Sequence, residues 1–373
     1  MSSLDVVVLG LSITSAWGNG HATTYRSLVR GLRERGHRVL FLERDVPWYG
    51  NNRDLPEPPW CELGIYRELD ALRDRYAAAV READLVIVGS YVPDGIAVGE
   101  WVNQVARGVT AFYDIDTPVT AAALAEGRCS YLDLALAVRF DLYLSFAGGG
   151  MLRRLHDELG VDALPLYCSV DPEAHRPLPC GVEYDLGYLG TYARDRQPAL
   201  DRLMLAAADA YPDLRLAVFG PGYPPQIEWP DNVHREEHLS PQEHARFYCS
   251  QRYTLNLTRA DMVRAGHSPS VRLFEAAACG VPIISDYWTG LEDYFRIGEE
   301  ILVALDGADT LRYLLELPDS ERLATGQRAR QRVLAQHTGT HRALELEQYL
   351  AGAAGGRLLR RSRNEAPVAG TPT

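Results

Sequence analysis

The sequence predicts an α/β protein built from two doubly wound parallel sheets that face each other across a cleft. Three observations lead there. Short apolar runs alternate with amphipathic segments, the pattern of strands joined by crossover helices. A proline-rich connection at 172–179 interrupts that alternation, which then resumes. A chain of 373 residues is also long for one hydrophobic core. In the first half, 6–13, 38–42, 85–88, 109–113 and 142–146 read as strands; 23–35, 66–82, 95–106 and 149–159 read as helices. In the second half the strands fall at 186–189, 214–219, 253–257 and 281–285, and the helices near 198–210, 241–249 and 271–278. This divides the chain into a Rossmann-like domain at 1–170, a linker at 171–182 and a second Rossmann-like domain at 183–336. A C-terminal helix follows at 337–353. From residue 354 the chain is rich in Gly and Arg, and 354–373 reads as a disordered basic tail.

Composition narrows the function classes. The formal net charge of −12 argues against nucleic acid, which wants a basic face. The six cysteines show no C-x-x-C spacing, so a zinc site is not expected and the thiols read as reduced, in a cytoplasmic protein. The N-terminus lacks a basic region before its short apolar run and reads as a first strand. No apolar run approaches the ~18 residues needed to span a bilayer.

The most informative segment is 268–286. Ser270 is placed to cap a helix, its hydroxyl accepting from a first-turn amide. Leu273, Phe274, Ala277 and Ala278 share one face, Gly280 ends the helix, and 281–284 suits a strand buried on both sides. Glu275 is the anomaly, because a carboxylate among Phe and Ala needs a partner. Arg272, three residues earlier, offers a structural one. The small residues Gly266, Ser268 and Ser270, with Val271 opening the helix, offer another setting: open amides that attract phosphate, with a carboxylate downstream for ribose hydroxyls.

Leu273-Phe-Glu-Ala-Ala-Ala-Cys-Gly-Val-Pro resembles the C-terminal signature E-A-x-A-x-G-x-P of glycosyltransferases of the B-type fold, family 4-like. The wider Ser268-Pro-Ser-Val-Arg-Leu-Phe-Glu resembles their spore-maturation (CgeB-like) branch. The resemblance implies that Glu275 holds the ribose of a nucleotide-sugar donor. It also implies that the C-terminal helix crosses back onto the first domain. Many retaining members carry a second Glu eight positions earlier, where this chain has His267, so the sugar contact made by that Glu is not carried over. Tyr188-Leu-Gly-Thr-Tyr-Ala-Arg-Asp-Arg resembles the family's diphosphate loop. There Gly190 and Thr191 allow backbone approach, and Arg194 and Arg196 compete for the phosphate, which suits a planar guanidinium. Val170-Asp-Pro-Glu-Ala-His-Arg-Pro resembles the interdomain segment, and 238–243 the segment against the nucleobase. Arg259 is a further phosphate candidate.

In the first domain, Ser12-Ile-Thr-Ser-Ala-Trp-Gly-Asn-Gly-His follows a strand and precedes a helix. Gly18 and Gly20 permit close backbone approach where open α/β sheets bind ligands. The dinucleotide fingerprint is incomplete, since Thr23 stands at its third glycine, although Glu43 ends the second strand where a ribose-binding acid would sit. His21 is the loop's one imidazole, suited to take a proton from an acceptor hydroxyl or simply to pack the helix start. Asp114 and Asp116 are two apart and would point the same way if the strand continued. Asp116 is a cleft candidate or a helix cap before Pro118, and no metal role is assigned.

Taken together, these features imply a metal-independent, retaining glycosyltransferase with no cofactor. A nucleotide-diphosphate sugar is the donor, a small molecule or glycan the acceptor. The catalytic candidates are His21 and Asp116; the donor-binding candidates are Gly18, Gly20, Gly190, Thr191, Arg194, Arg196, Ser268, Ser270, Val271 and Glu275. A sugar-nucleotide epimerase on the same fold, and a non-catalytic protein that binds nucleotide sugars or acts as a scaffold, are the alternatives.

Overall fold

The computed structural model describes residues 3–364 and contains the two expected parallel sheets. The first is formed by β1 (Asp5–Gly10), β2 (Arg38–Arg44), β3 (Glu62–Tyr66), β4 (Leu85–Gly89), β5 (Val109–Asp114), β6 (Leu142–Ser145) and β7 (Ala163–Pro165), in the order β3-β2-β1-β4-β5-β6-β7. The second is formed by β8 (Tyr184–Leu189), β9 (Leu216–Phe219), β10 (Val233–Glu236), β11 (Gln251–Asn256), β12 (Ile283–Ser285) and β13 (Leu302–Val303), in the order β10-β9-β8-β11-β12-β13. Every pairing is parallel. Central strands such as β4 are buried at every residue, because helices cover both faces.

Strand order reverses once in each sheet, between β1 and β4 and between β8 and β11. At such a switch point the crossovers leave in opposite directions and open a crevice beyond the strand ends. The loop after β1 and the loop after β8 therefore both start at a crevice.

Four strands have no counterpart in the sequence reading: β3, β7, β10 and β13. They are short and lie at or near the sheet edges, where one-sided burial needs no long apolar run. Tyr66 closes β3, and the helix expected from 66 starts at Leu69. β1 stops at Gly10 although the apolar run continues to Ile13. The next residues turn because the buried Glu43 carboxylate accepts from Ile13 N (2.7 Å), Thr14 N (3.1 Å) and the Thr14 hydroxyl (2.6 Å).

The chain passes between the domains twice, side by side: Val170 N donates to His337 O at 3.0 Å. Helix Gly339–Asn364 then packs on helix Gly20–Glu34 of the first domain. The basic tail expected from 354 is helical in backbone as far as Asn364, since the Ala, Leu and Arg residues there favour helix over the interspersed Gly; 365–373 lie outside the described residues. Glu347 anchors the crossing, paired with Arg35 (2.8 Å to Nη2) and His37 (2.8 Å). The hydrogen bond from Arg35, with His37 assisting, holds the Glu347 carboxyl down at about 2.

The two helices touch backbone to backbone. A Cβ on Gly31 would collide with the Gly339 carbonyl. Gly31→Ala should therefore displace the crossing helix and destabilise the protein by about 1–3 kcal/mol, the usual cost of overpacking. A melting temperature equal to wild type would contradict this.

Candidate active site

The loops from the two switch points line one cleft of 520 Å³. On the first-domain side, Glu43 is fully buried and spent on the loop backbone. It therefore anchors the loop and does not stand where a ribose could reach it. Gly18 has φ +59°, open to glycine without strain, and Asn19 caps the next helix by accepting from His21 N at 3.1 Å. Gly18, Gly20 and His21 all line the cleft. His21 Nδ1 is enclosed and has no hydrogen-bond partner, and the ring lies 5.5 Å from that of Tyr91. Burial pulls its pKa down to about 4, so at neutral pH it is a free base.

Asp114 and Asp116 do not act as a pair. β5 ends at Asp114, whose fully buried carboxylate accepts from Asp116 N (3.1 Å), the Thr120 hydroxyl (2.7 Å) and the Tyr143 hydroxyl (2.8 Å). Burial outweighs those bonds and pushes its pKa up to about 6. The chain turns there, and Asp116 occupies the N-cap of helix Thr117–Ala125 without a side-chain cap bond. Its carboxylate faces the cleft instead, accepting from the Tyr91 hydroxyl at 2.8 Å and lying 3.8 Å from Arg259 Nη1 of the other domain.

On the second-domain side, Gly190, Thr191 and Arg196 line the cleft; Arg194 is exposed and points elsewhere. Arg196 Nη2 donates to Thr191 O at 2.6 Å, leaving Nε enclosed without a partner. Burial holds this guanidinium below its usual range, and the neighbouring Arg272 and Arg259 cations add to the effect. Three arginines thus meet at one end of the cleft, a site that gains from a bound anion.

Helix Val271–Ala278 enters the cleft at Ser270 and Val271. Ser270 makes no side-chain cap bond, contrary to expectation: Leu273 N donates to the Ser270 carbonyl at 3.1 Å, and the amides of the first two helical residues, which have no intrahelical acceptor, are left without a side-chain cap. Ser268 is fully buried, its hydroxyl donating to Gly266 O at 2.8 Å, and does not line the cleft. His267 sits on a left-handed backbone (φ +47°). Its ring packs over Gly149 and Gly290 and lies 2.8 Å from Asp293, away from the cleft. The side chain at the position where many retaining members have a second Glu thus braces the two domains.

Arg272 and Glu275 do not close on each other. Arg272 donates to Leu189 O (2.6 Å), Asn256 Oδ1 (3.2 Å) and Leu257 O (3.4 Å), and its guanidinium lies 5.0 Å over the Tyr188 ring. Glu275 accepts from the Tyr248 hydroxyl at 3.1 Å and lies 3.8 Å from His175 Nε2. Burial alone would raise its pKa, but His175, His244, the Tyr248 hydroxyl and Arg272 together hold it below the usual range, so an ionised carboxylate faces the cleft. Gly190 is required here: a Cβ would come 2.9 Å from Arg272 Nη2 and 2.6 Å from the Tyr188 oxygen.

Several cleft residues went unmarked in the sequence. Arg272 read only as a partner for Glu275, and Tyr91, Tyr248 and His244 carried no motif. Trp17 and His238, one from each domain, face each other with ring centroids 3.7 Å apart, a contact only folding creates.

Residues 196–348 match a family model described as glycosyl transferase-like. No curated protein matches the chain. Among solved structures, sucrose-phosphate synthase from Thermosynechococcus elongatus superposes with a TM-score of 0.70 at 15% identity, covering 94% of this chain and 99% of that one. Anabaena HepE in complex with UDP and glucose gives 0.68 at 11% identity, covering 94% and 100%. AviGT4, a glycosyltransferase involved in avilamycin A biosynthesis, gives 0.59 at 16% identity, covering 94% and 98%. The fold is the glycosyltransferase B-type fold. Among the described residues, no helix is long and apolar enough to cross a membrane.

A histidine whose folded pKa lies below its unfolded value costs stability as pH falls through the unfolded value, here between about 6.5 and about 4. NMR titration of the His21 ring should accordingly show the neutral form persisting to about pH 4. A midpoint near 6.5 would mean that the ring is open to water.

Proposed function

We propose that this protein transfers a sugar from a nucleotide-diphosphate donor to a small-molecule or glycan acceptor, with retention of configuration and without a metal on the diphosphate. The observation that carries the reading is the convergence of Arg196, Arg259 and Arg272 beside the uncapped start of helix Val271–Ala278, with ionised Glu275 one turn further in. Negative charge develops on the leaving diphosphate as the glycosidic bond breaks. Cations and helix amides already aimed at that charge supply most of the stabilisation such a site can give the transition state. Glu275 accepts from the donor's ribose hydroxyls and takes no part in bond breaking. UDP-sugars are the first donors to test, since HepE was solved with UDP and glucose.

In a retaining transfer the departing phosphate takes the acceptor's proton, so no dedicated base is required. The neutral His21 imidazole and Asp116, on the opposite wall, then position the sugar and acceptor. An inverting transfer would instead use one of them as general base. NMR of the product's anomeric centre decides: the donor's own configuration supports the reading, and the opposite configuration overturns retention. Incubation with donor alone tests the epimerase alternative, since slow hydrolysis to nucleotide fits a transferase and a new sugar nucleotide does not.

Loss of one charge-assisted contact costs about 1.5–3 kcal/mol. Arg196→Ala and Glu275→Gln should therefore each weaken UDP binding roughly 10- to 100-fold, measured by calorimetry, with circular dichroism unchanged. Arg194→Ala, whose side chain is exposed away from the cleft, should leave UDP binding as in wild type. The reverse ranking of the two arginines would sink this assignment of the phosphate contact.

A further inference from the structure

The partners of Glu275 point to something beyond a nucleotide site. His175, on the linker, is 7% exposed, and neither ring nitrogen has a hydrogen-bond partner. A buried imidazole carries one N–H and one lone pair, and leaving both unmet is costly. Its Nε2 lies 3.8 Å from Glu275 Oε1. That is too long for a hydrogen bond, but two ligands each about 2.1 Å from a tetrahedral ion stand about 3.4 Å apart. His244, the first residue of helix His244–Cys249, completes the group: one ligand atom from each of the three residues lies within 4.8 Å of the others.

We propose that His175, His244 and Glu275 bind one zinc-class divalent cation on the floor of the cleft. Two imidazoles and a carboxylate are a borderline-soft donor set that suits zinc or cobalt better than magnesium or calcium. The Tyr248 hydroxyl, 3.1 Å from the other oxygen of Glu275, orients the carboxylate, as hydrogen bonds to metal-bound carboxylates commonly do. There is also an entry path, since His244 and Glu275 both line the cleft. The Arg272 guanidinium, on the same helix as Glu275, is directed to Leu189, Asn256 and Leu257. The fourth coordination position faces the cleft and takes water or a hydroxyl of the bound nucleotide. The cation would tie the interdomain linker to both helices and fix the carboxylate. It is distinct from a counter-ion for the diphosphate, which the arginines meet.

The test uses untagged full-length protein stripped with EDTA and titrated with Zn(II) or Co(II), with bound metal counted by elemental analysis after dialysis. Wild type should bind one equivalent, with a visible Co(II) spectrum of low coordination number. His175→Ala and His244→Phe should each lower affinity at least about 100-fold, because even changes to groups that only hydrogen-bond a ligand cost up to that much. Circular dichroism and thermal melts of the metal-free proteins report whether each variant folds, and either one that does suffices. Less than about a tenth of an equivalent bound by wild type, or affinity unchanged in a folded variant, overturns the proposal. UDP binding by the stripped protein is measured in parallel, so failure of the metal site and failure of the nucleotide reading are told apart.

Discussion

The architecture of this site depends on burying two opposite charges three residues apart on one short helix without letting them neutralise each other. Arg272 and Glu275 are 8% and 5% exposed. Desolvating either is tolerable only with partners, and each finds its own. Arg272 satisfies carbonyls at the ends of β8 and β11, which fixes the helix against the switch point of the second sheet. Glu275 draws in Tyr248 from a neighbouring helix and His175 from the linker. Had the pair closed on itself, neither the strand ends nor the linker would be tied to this helix.

That arrangement divides the cleft. One end is cationic, with Arg196 and Arg259 joining Arg272. The other holds a carboxylate among imidazoles. The first-domain wall is different in kind: His21 is kept neutral by burial, and Asp116 is kept at hand by Tyr91. The pKa of Asp116 is raised by burial in spite of that bond and of Arg259. The two walls are held in register by direct contacts such as Trp17 on His238 and Gly148 N to His267 O at 2.9 Å. His267 therefore works as an interdomain brace.

Much of this was legible in the chain. The two parallel sheets follow from apolar runs that need both faces covered, and the cleft-facing loops from their positions at strand ends. Gly18, Gly20, His21, Asp116, Gly190, Thr191, Arg196, Ser270, Val271 and Glu275 all line one cleft. Where sequence pattern misleads, the reason is local competition for hydrogen bonds. Ser270 sits at the cap but makes no side-chain cap bond, while its carbonyl accepts from Leu273 N. Ser268 bonds its own neighbourhood. Glu43 stands at a strand end that suggests a ribose, yet three donors from the preceding loop claim it. Asp114 and Asp116 have the spacing of a pair until the chain turns between them.

The sequence by itself determined the fold class, the site of Glu275 on an apolar helix, and the demand that a buried carboxylate be met. Those are properties of local periodicity and of desolvation, which any stretch of chain carries with it. Only the tertiary structure decided who meets the charge. His175 and His244 come from a linker and a helix start far apart in sequence, and no spacing rule joins them. The same holds for the choice between Arg194 and Arg196, two residues apart: one backbone turn buries one guanidinium and leaves the other in water.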